Sequence, residues 1–171
     1  MKILIIGDSH GNIANLKHVL GFAKHIKCGA VIHTGDWNNL KSLETVFNFN
    51  IPIYTVQGNA DIDPKLIKKL KIRSKKFSED FLKFKIGGVK IGVVHRFTKD
   101  KQQVANDCSV IFTGHYHSQK EWEVDGIKII RPGALENGIN FAVYSIAESH
   151  DTKTKMVEFI NHDKLRRASQ T

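Results

Sequence analysis

Short apolar runs separated by polar turns organise the first half of the chain. "ILII", Ile3 to Ile6, is continuous where a half-exposed strand would alternate, and Gly7 breaks it, so it reads as a strand buried on both faces. Beyond a polar turn the period changes. Ile13, Leu16, Val19, Leu20, Ala23 and Ile26 recur at helical spacing and predict a helix. "AVIH" is a second strand, "LKSLETVFNF" a second helical segment and "IPIYTVQ" a third strand, with Pro52 at its start, where a missing backbone donor does least harm. Strands alternating with helices imply a parallel sheet.

From about Phe77 the rhythm becomes that of hairpins. "FLKFKIGGVKIGVVH" holds two apolar runs joined by Gly87-Gly88, and "KEWEVDGIKIIRPG" repeats the pattern around Asp125-Gly126. "FAVYSIAE" and "TKTKMVEFIN" read as two more paired strands, and one helix is expected near "KDKQQVAND". The second half is therefore expected to be mostly antiparallel, giving an α/β protein of two sheets with helices outside them. Residues 1–162 are expected to form one domain and residues 163–171 a frayed tail; no internal repeat or linker divides the chain.

A length of 171 residues fits one globular domain. The longest apolar runs are far too short to span a bilayer, which excludes a transmembrane role, and no signal peptide is evident. Cys28 and Cys108 lack metal-type spacing and read as small buried residues in a reducing compartment, so a cytoplasmic location is expected. The net charge of +9 raises the question of nucleic acid, and "KLIKKLKIRSKK" carries seven basic residues with no acidic one. With 21 lysines against 5 arginines and no aromatic residue in that stretch, a solvated basic face is the preferred reading.

The chemistry lies where strands end. The first delivers Asp8 and His10, the second Asp36, the third Asn59 and Asp61, and the later runs His95, His115 and His117. Sites in open α/β sheets form beyond the carboxyl ends of the strands, so these residues should converge. Even without Asp61, two carboxylates, four imidazoles and an amide exceed what one ion can use. Mixed carboxylate and imidazole ligation suits manganese, zinc, iron or nickel, and a carboxylate can bridge two such ions.

"GDSHGN", "TGDW", "QGNAD", "VVH" and "TGHYH", in this order and spacing, resemble the five signature blocks of the calcineurin-like metallophosphoesterases, and the length is similar to their small single-domain phosphodiesterase branch in bacteria and archaea. The resemblance runs from Met1 to about Tyr144. It implies a four-layer α/β/β/α sandwich of two mixed sheets, with one divalent ion on Asp8, His10, Asp36 and His117. A second would lie on Asp36, Asn59, His95 and His115, with Asp36 bridging. Mn²⁺ is the first expectation, with Ni²⁺, Zn²⁺ and Fe²⁺ as alternatives. Such a pair would activate a bridging hydroxide for in-line attack on a phosphate ester.

Asp36 and Asn59 are thus candidate catalytic residues. So is Asp61, which in this family would support a His after the Gly-Asn pair; here that position is Ala60, which cannot protonate a leaving group. Asn12 is a candidate to orient water or phosphate, with a helix N-cap as the equal alternative. Arg96, standing where the family usually has Gly, is a candidate phosphate contact. The remaining histidines, His18, His25, His33, His150 and His162, fall outside the blocks, and His33 is expected to be packed in its strand. A small phosphate ester is the expected partner; a homodimer is an open alternative, and so is a catalytically inactive scaffold of the same fold that acts through protein contacts.

Overall fold

The computed structural model describes residues 1–148 and 153–168; His150 and the final three residues lie outside it. One sheet contains β1 (Lys2–Ile6), β2 (Ala30–His33), β3 (Ile53–Val56), β4 (Lys76–Ser78), β10 (Phe141–Glu148) and β11 (Lys153–Ile160), in the order β11-β10-β1-β2-β3-β4. The other contains β5 (Phe81–Ile86), β6 (Val89–Val94), β7 (Val110–Thr113), β8 (Gln119–Val124) and β9 (Ile127–Pro132), in the order β5-β6-β7-β9-β8. Both sheets are mixed: β1 to β4 run parallel, β10 lies antiparallel to β1 and β11 antiparallel to β10, and β6, β7 and β9 form a parallel centre edged by antiparallel β5 and β8.

Three cores separate four layers. The continuous run in β1 splits between two of them: Leu4 and Ile6 pack with Leu16, Val19, Leu20 and Ala23 of α1 (Ile13–His25), while Ile3 and Ile5 pack with Phe84, Ile91, Phe112 and Tyr144 between the sheets. α2 (Leu40–Phe47) and α3 (Pro64–Arg73) join the first core through Leu43, Val46, Leu66 and Leu70. α4 (Lys99–Val104) precedes Ala105, which is buried with Val94, Ile111 and Ile129 on the outer face of the second sheet. Burial of each such large side chain is worth roughly 1.5–3 kcal/mol, so apposition of the sheets is strongly favoured. The expected α/β/β/α sandwich is what forms.

Both hairpin turns are as expected. Gly87 and Gly88 have φ of 55° and 76°, and Asp125 and Gly126 have 50° and 75°, the paired left-handed geometry that suits a two-residue connection. The basic stretch forms α3, burying Leu66 and Leu70 and leaving Lys65, Lys68 and Lys71 in water.

Three features depart from the sequence reading. β4 is an additional edge strand, too short for any period to announce. β10 and β11 leave the second half to extend the first sheet, with β10 lying against β1 in the register Ile3 to Tyr144. The expected tail begins as α5 (His162–Ala168), because Leu165, 2 % exposed, packs into the helix-side core.

Candidate metal centre

The loop after β1 is laced to the loop after β2 by backbone bonds: Asp8 N–H donates to Gly35 O, and Ser9 and His10 N–H both donate to Asp36 O, at 3.0–3.1 Å. The lacing forces Asp8, His10 and Asp36 into left-handed backbone, at φ of 48°, 40° and 60°, and His115 adopts 69°. Non-glycine residues rarely take this conformation, and such outliers cluster at functional sites. Asp8 and Asp36 are buried, at 0 % and 2 % exposure.

Asp36 uses its two oxygens differently. Oδ1 accepts Ala60 N–H at 2.8 Å, while Oδ2 lies 3.4 Å from His10 Nε2 and 3.5 Å from His95 Nε2. One carboxylate oxygen therefore sits between imidazoles that belong to the two expected ion sites. The rings pair in the same way, His10 with His117 at 5.5 Å and His95 with His115 at 5.2 Å between centroids. Asn59 Oδ1 lies 2.9 Å from His95 Nε2 and 3.0 Å from His115 Nδ1. Asp8 accepts His115 N–H, and its Oδ1 is 3.8 Å from His117 Nε2. All seven candidate ligands come together. Ligand atoms of Asp8, His10 and His117, and of Asp8, Asp36 and His95, form two clusters each within 4.8 Å, so the residue common to both is Asp8, whereas the resemblance gives the bridging place to Asp36.

The donor set fits metal ions on two physical counts. His95 Nδ1 lies 2.9 Å from Thr34 O, a carbonyl that can only accept. Nδ1 therefore carries the proton, and the Nε2 lone pair points at the oxygens of Asp36 and Asn59, acceptor against acceptor. A cation there removes the conflict. Burial, and then the neighbouring charge of Asp36, push the Asp8 carboxyl up to about 7, as expected for two carboxylates enclosed side by side. Burial lowers His115, with His95 next in importance, which favours the neutral imidazole that ligates metals.

Two sequence expectations change. Asp61 does not face the centre. It is fully buried; its Oδ2 accepts N–H from Asp36 at 3.0 Å and Gly58 at 2.8 Å, and its Oδ1 accepts N–H from Trp37 at 2.7 Å and Asn38 at 2.9 Å. With both oxygens committed to backbone, Asp61 holds the Asp36 loop and has no free lone pair aimed at a residue 60 imidazole. Asn12 is the helix N-cap: its side chain accepts Asn15 N–H at 3.0 Å and donates to Glu136 O at 2.7 Å, which leaves it no role toward a ligand. Arg96 is at the rim, exposed, its guanidinium 6.0 Å from the centre of the Tyr116 ring.

The glycine before the paired histidines is required by packing. Gly114 has no left-handed backbone; a Cβ there would lie 2.8 Å from Asp8 Oδ2, so close approach of strand and carboxylate demands glycine. Several supporting residues gave no sequence signal. His33 is buried as expected, but it stacks on Trp37 at 3.6 Å, and its ring nitrogens lie 3.3 Å from Ser9 Oγ and 3.2 Å from Gly35 N, tying both ligand loops together. Glu136 Oε2 stands 3.5 Å from His117 Nδ1, a carboxylate behind a ligating histidine. Tyr116 and Arg131 line the outer rim. Cys28 and Cys108 are buried free thiols apart from the centre. Among the described residues no helix is long and apolar enough to cross a membrane.

Residues 1–152 match the family defined as the calcineurin-like phosphoesterase superfamily domain. Over 138 residues the chain is 29 % identical to phosphodiesterase MJ0936 of Methanocaldococcus jannaschii, covering 78 % of this chain and 83 % of that protein. Its fold is similar to the structure of a novel archaeal phosphodiesterase, with a TM-score of 0.72 and 22 % identity over 92 % of this chain and all of the other. It is also similar to vacuolar protein sorting 29 of Cryptosporidium parvum, with a TM-score of 0.63 and 19 % identity over 94 % of this chain and 97 % of the other.

Proposed function

Because the chain belongs to the calcineurin-like phosphoesterase superfamily, we propose that it is a dinuclear-metal phosphodiesterase that hydrolyses small phosphate esters. The observation that carries this reading is the position of Asp36 Oδ2 between His10 Nε2 and His95 Nε2, in a buried centre where acceptors face one another. Asp8, His10, Asp36 and His117 would hold one ion and Asp36, Asn59, His95 and His115 the other, with Mn²⁺ the first metal to test and a cytoplasmic setting. Bound divalent ions would supply Lewis-acid polarisation of the phosphoryl oxygens and a nucleophile at neutral pH.

The protein's own part is positional. Asp61 fixes the Asp36 loop through three N–H bonds, from Asp36, Trp37 and Asn38, and Thr34 O holds His95 in one tautomer. Glu136 stands behind His117. Ala60 contributes its backbone N–H to Asp36 and offers no proton to a leaving oxygen. Substrates whose leaving group is stable as an anion are therefore favoured.

A screen of Mn²⁺-loaded protein on nitrophenyl diesters, nitrophenyl monoesters and nucleoside monophosphates tests this. Turnover fastest on an aryl diester is expected. Two bound metal ions with no turnover of any ester would replace the proposal with the scaffold reading, to which the likeness to vacuolar protein sorting 29 gives a structural precedent for the fold alone.

A further inference from the structure

Beside the metal centre, cations and aromatic rings alternate. Arg96 Cζ lies 6.0 Å and Arg131 Cζ 5.2 Å from the Tyr116 ring centre; Arg131 Cζ lies 5.7 Å and Lys120 Nζ 5.5 Å from the Trp122 ring centre. Tyr116, between His115 and His117 in the chain, is 49 % exposed. Arg131 is built in rather than loose: its Nε donates to Ser118 O and its Nη2 to Ser118 Oγ, both at 2.8 Å. That leaves the other end of the guanidinium fork for a ligand. Among the described residues neither Arg96 nor Arg131 has a carboxylate within ion-pair distance, whereas Lys128, on the same strand as Arg131, pairs with Glu121.

Two guanidinium groups without carboxylate ion-pair partners, both within 6.0 Å of the ring of Tyr116 between His115 and His117, are matched to a second phosphate. The absence of an acid at position 60 points the same way. An alkoxide leaving from an alkyl ester needs a proton that this chain does not provide there, whereas a leaving phosphate monoester has a second pKa of about 6 and departs as a stable anion.

Resting on the phosphodiesterase reading above, we infer that the substrates are nucleoside phosphoanhydrides, with the leaving phosphate held by Arg96 and Arg131 and a base lying against Tyr116 or Trp122. In the reaction a water oxygen forms a bond to the scissile phosphorus, and the bond from that phosphorus to the bridging anhydride oxygen breaks. The electron pair stays with the bridging oxygen on the second phosphate. Of the two water protons, each remains on one of the two monoester products or is lost to solvent according to pH, and no redox change occurs.

The test compares three compounds on Mn²⁺-loaded protein: diadenosine diphosphate, the dinucleoside monophosphate ApA, which has the same rings and one phosphate fewer, and bis-nitrophenyl phosphate. Diadenosine diphosphate is expected to be hydrolysed at least about 100-fold faster than ApA, in keeping with the general-acid help that ApA lacks. Arg131→Gln and Arg96→Gln should each raise KM for diadenosine diphosphate about tenfold more than for the nitrophenyl diester, the scale of one charge-assisted contact. Arg131→Lys should restore part of this, and metal content should stay at the wild-type level. Lys68→Gln/Lys71→Gln, on α3 away from the rim, should change neither substrate.

Turnover of the nitrophenyl diester with none of diadenosine diphosphate overturns the inference and leaves the phosphodiesterase reading standing. So does an equal KM effect on both substrates, or the same loss from the α3 double variant. If no compound is turned over, the phosphodiesterase reading fails, and calorimetric binding of diadenosine diphosphate to protein in EDTA decides the rim separately. Affinity unchanged by Arg96→Gln/Arg131→Gln overturns its role in phosphate recognition, and a drop of about tenfold or more supports it.

Discussion

The two sheets contribute unlike halves to the centre. The first sheet supplies carboxylates, Asp8 and Asp36, that are fully buried, set in left-handed backbone and held by N–H bonds from neighbouring loops. The second supplies imidazoles of graded exposure, from His95 at 7 % to a His117 side chain at 44 %. Buried anions require a scaffold that forbids them to turn away from each other, because repulsion and desolvation both drive them apart. Neutral imidazoles carry no such cost and can stand at the rim with one supporting contact. The first half is therefore expected to be coupled to stability and the second to be nearly independent of it.

The largest effect should come from Asp36→Asn, which removes the charge from the oxygen between His10 and His95. Diester turnover should fall by about 10³-fold or more, together with metal content measured by elemental analysis. Retention of both would remove the buried half from the chemistry. Next is Asp61→Asn, which puts an NH₂ group against two of the four N–H donors that the carboxylate satisfies. A loss of about 3 kcal/mol in urea unfolding of the metal-free protein is expected. A loss below about 1 kcal/mol would show that the Asp36 loop holds itself.

His117→Ala probes the exposed half. Activity should fall by roughly 10–100-fold through weaker metal binding, with unfolding free energy within about 0.5 kcal/mol of wild type. A stability loss as large as that of Asp61→Asn would erase the contrast between the halves. The smallest effect concerns the interface that joins them. Tyr144, 1 % exposed between the sheets and edge-on to Phe112, has its phenol pushed up to about 12, first by burial and then by Glu121. The folded state thus prefers the protonated phenol, so its contribution is complete below pH 10 and is lost as pH rises toward 12. Between pH 10 and 11 the wild type should lose about 1 kcal/mol more than Tyr144→Phe. Parallel pH curves for the two proteins would mean that the phenol ionises as freely folded as unfolded.

What the sequence disclosed was whatever a few adjacent residues encode. The run Ile3 to Ile6, the turn at Gly87-Gly88 and the ligand types after each strand are local patterns, and all are found where the patterns put them. The role of Asp61 is not legible because three of its four partners lie on another loop, 23 to 25 residues away, and a carboxylate in sequence does not say whether it faces a metal or a ring of amides. Asn12 was ambiguous for a related reason, since a cap and a ligand contact use the same side-chain oxygen. Arg131 had no motif at all; its nearness to Tyr116 depends on β9 running beside β7. The same holds for β10, whose partner β1 stands at the other end of the chain.

That last pairing sets an order of events during synthesis. β1 is made well before one of its two neighbours in the sheet, the strand from Phe141 to Glu148. Asp8, at the end of β1, must wait for His115, His117 and Leu135, whose backbone N–H bonds to Gly7 and Asp8 oxygens at 3.2–3.3 Å, before its surroundings are complete. The surroundings of Asp8 are therefore incomplete in the nascent chain until Leu135 has been made, well after the carboxylate itself.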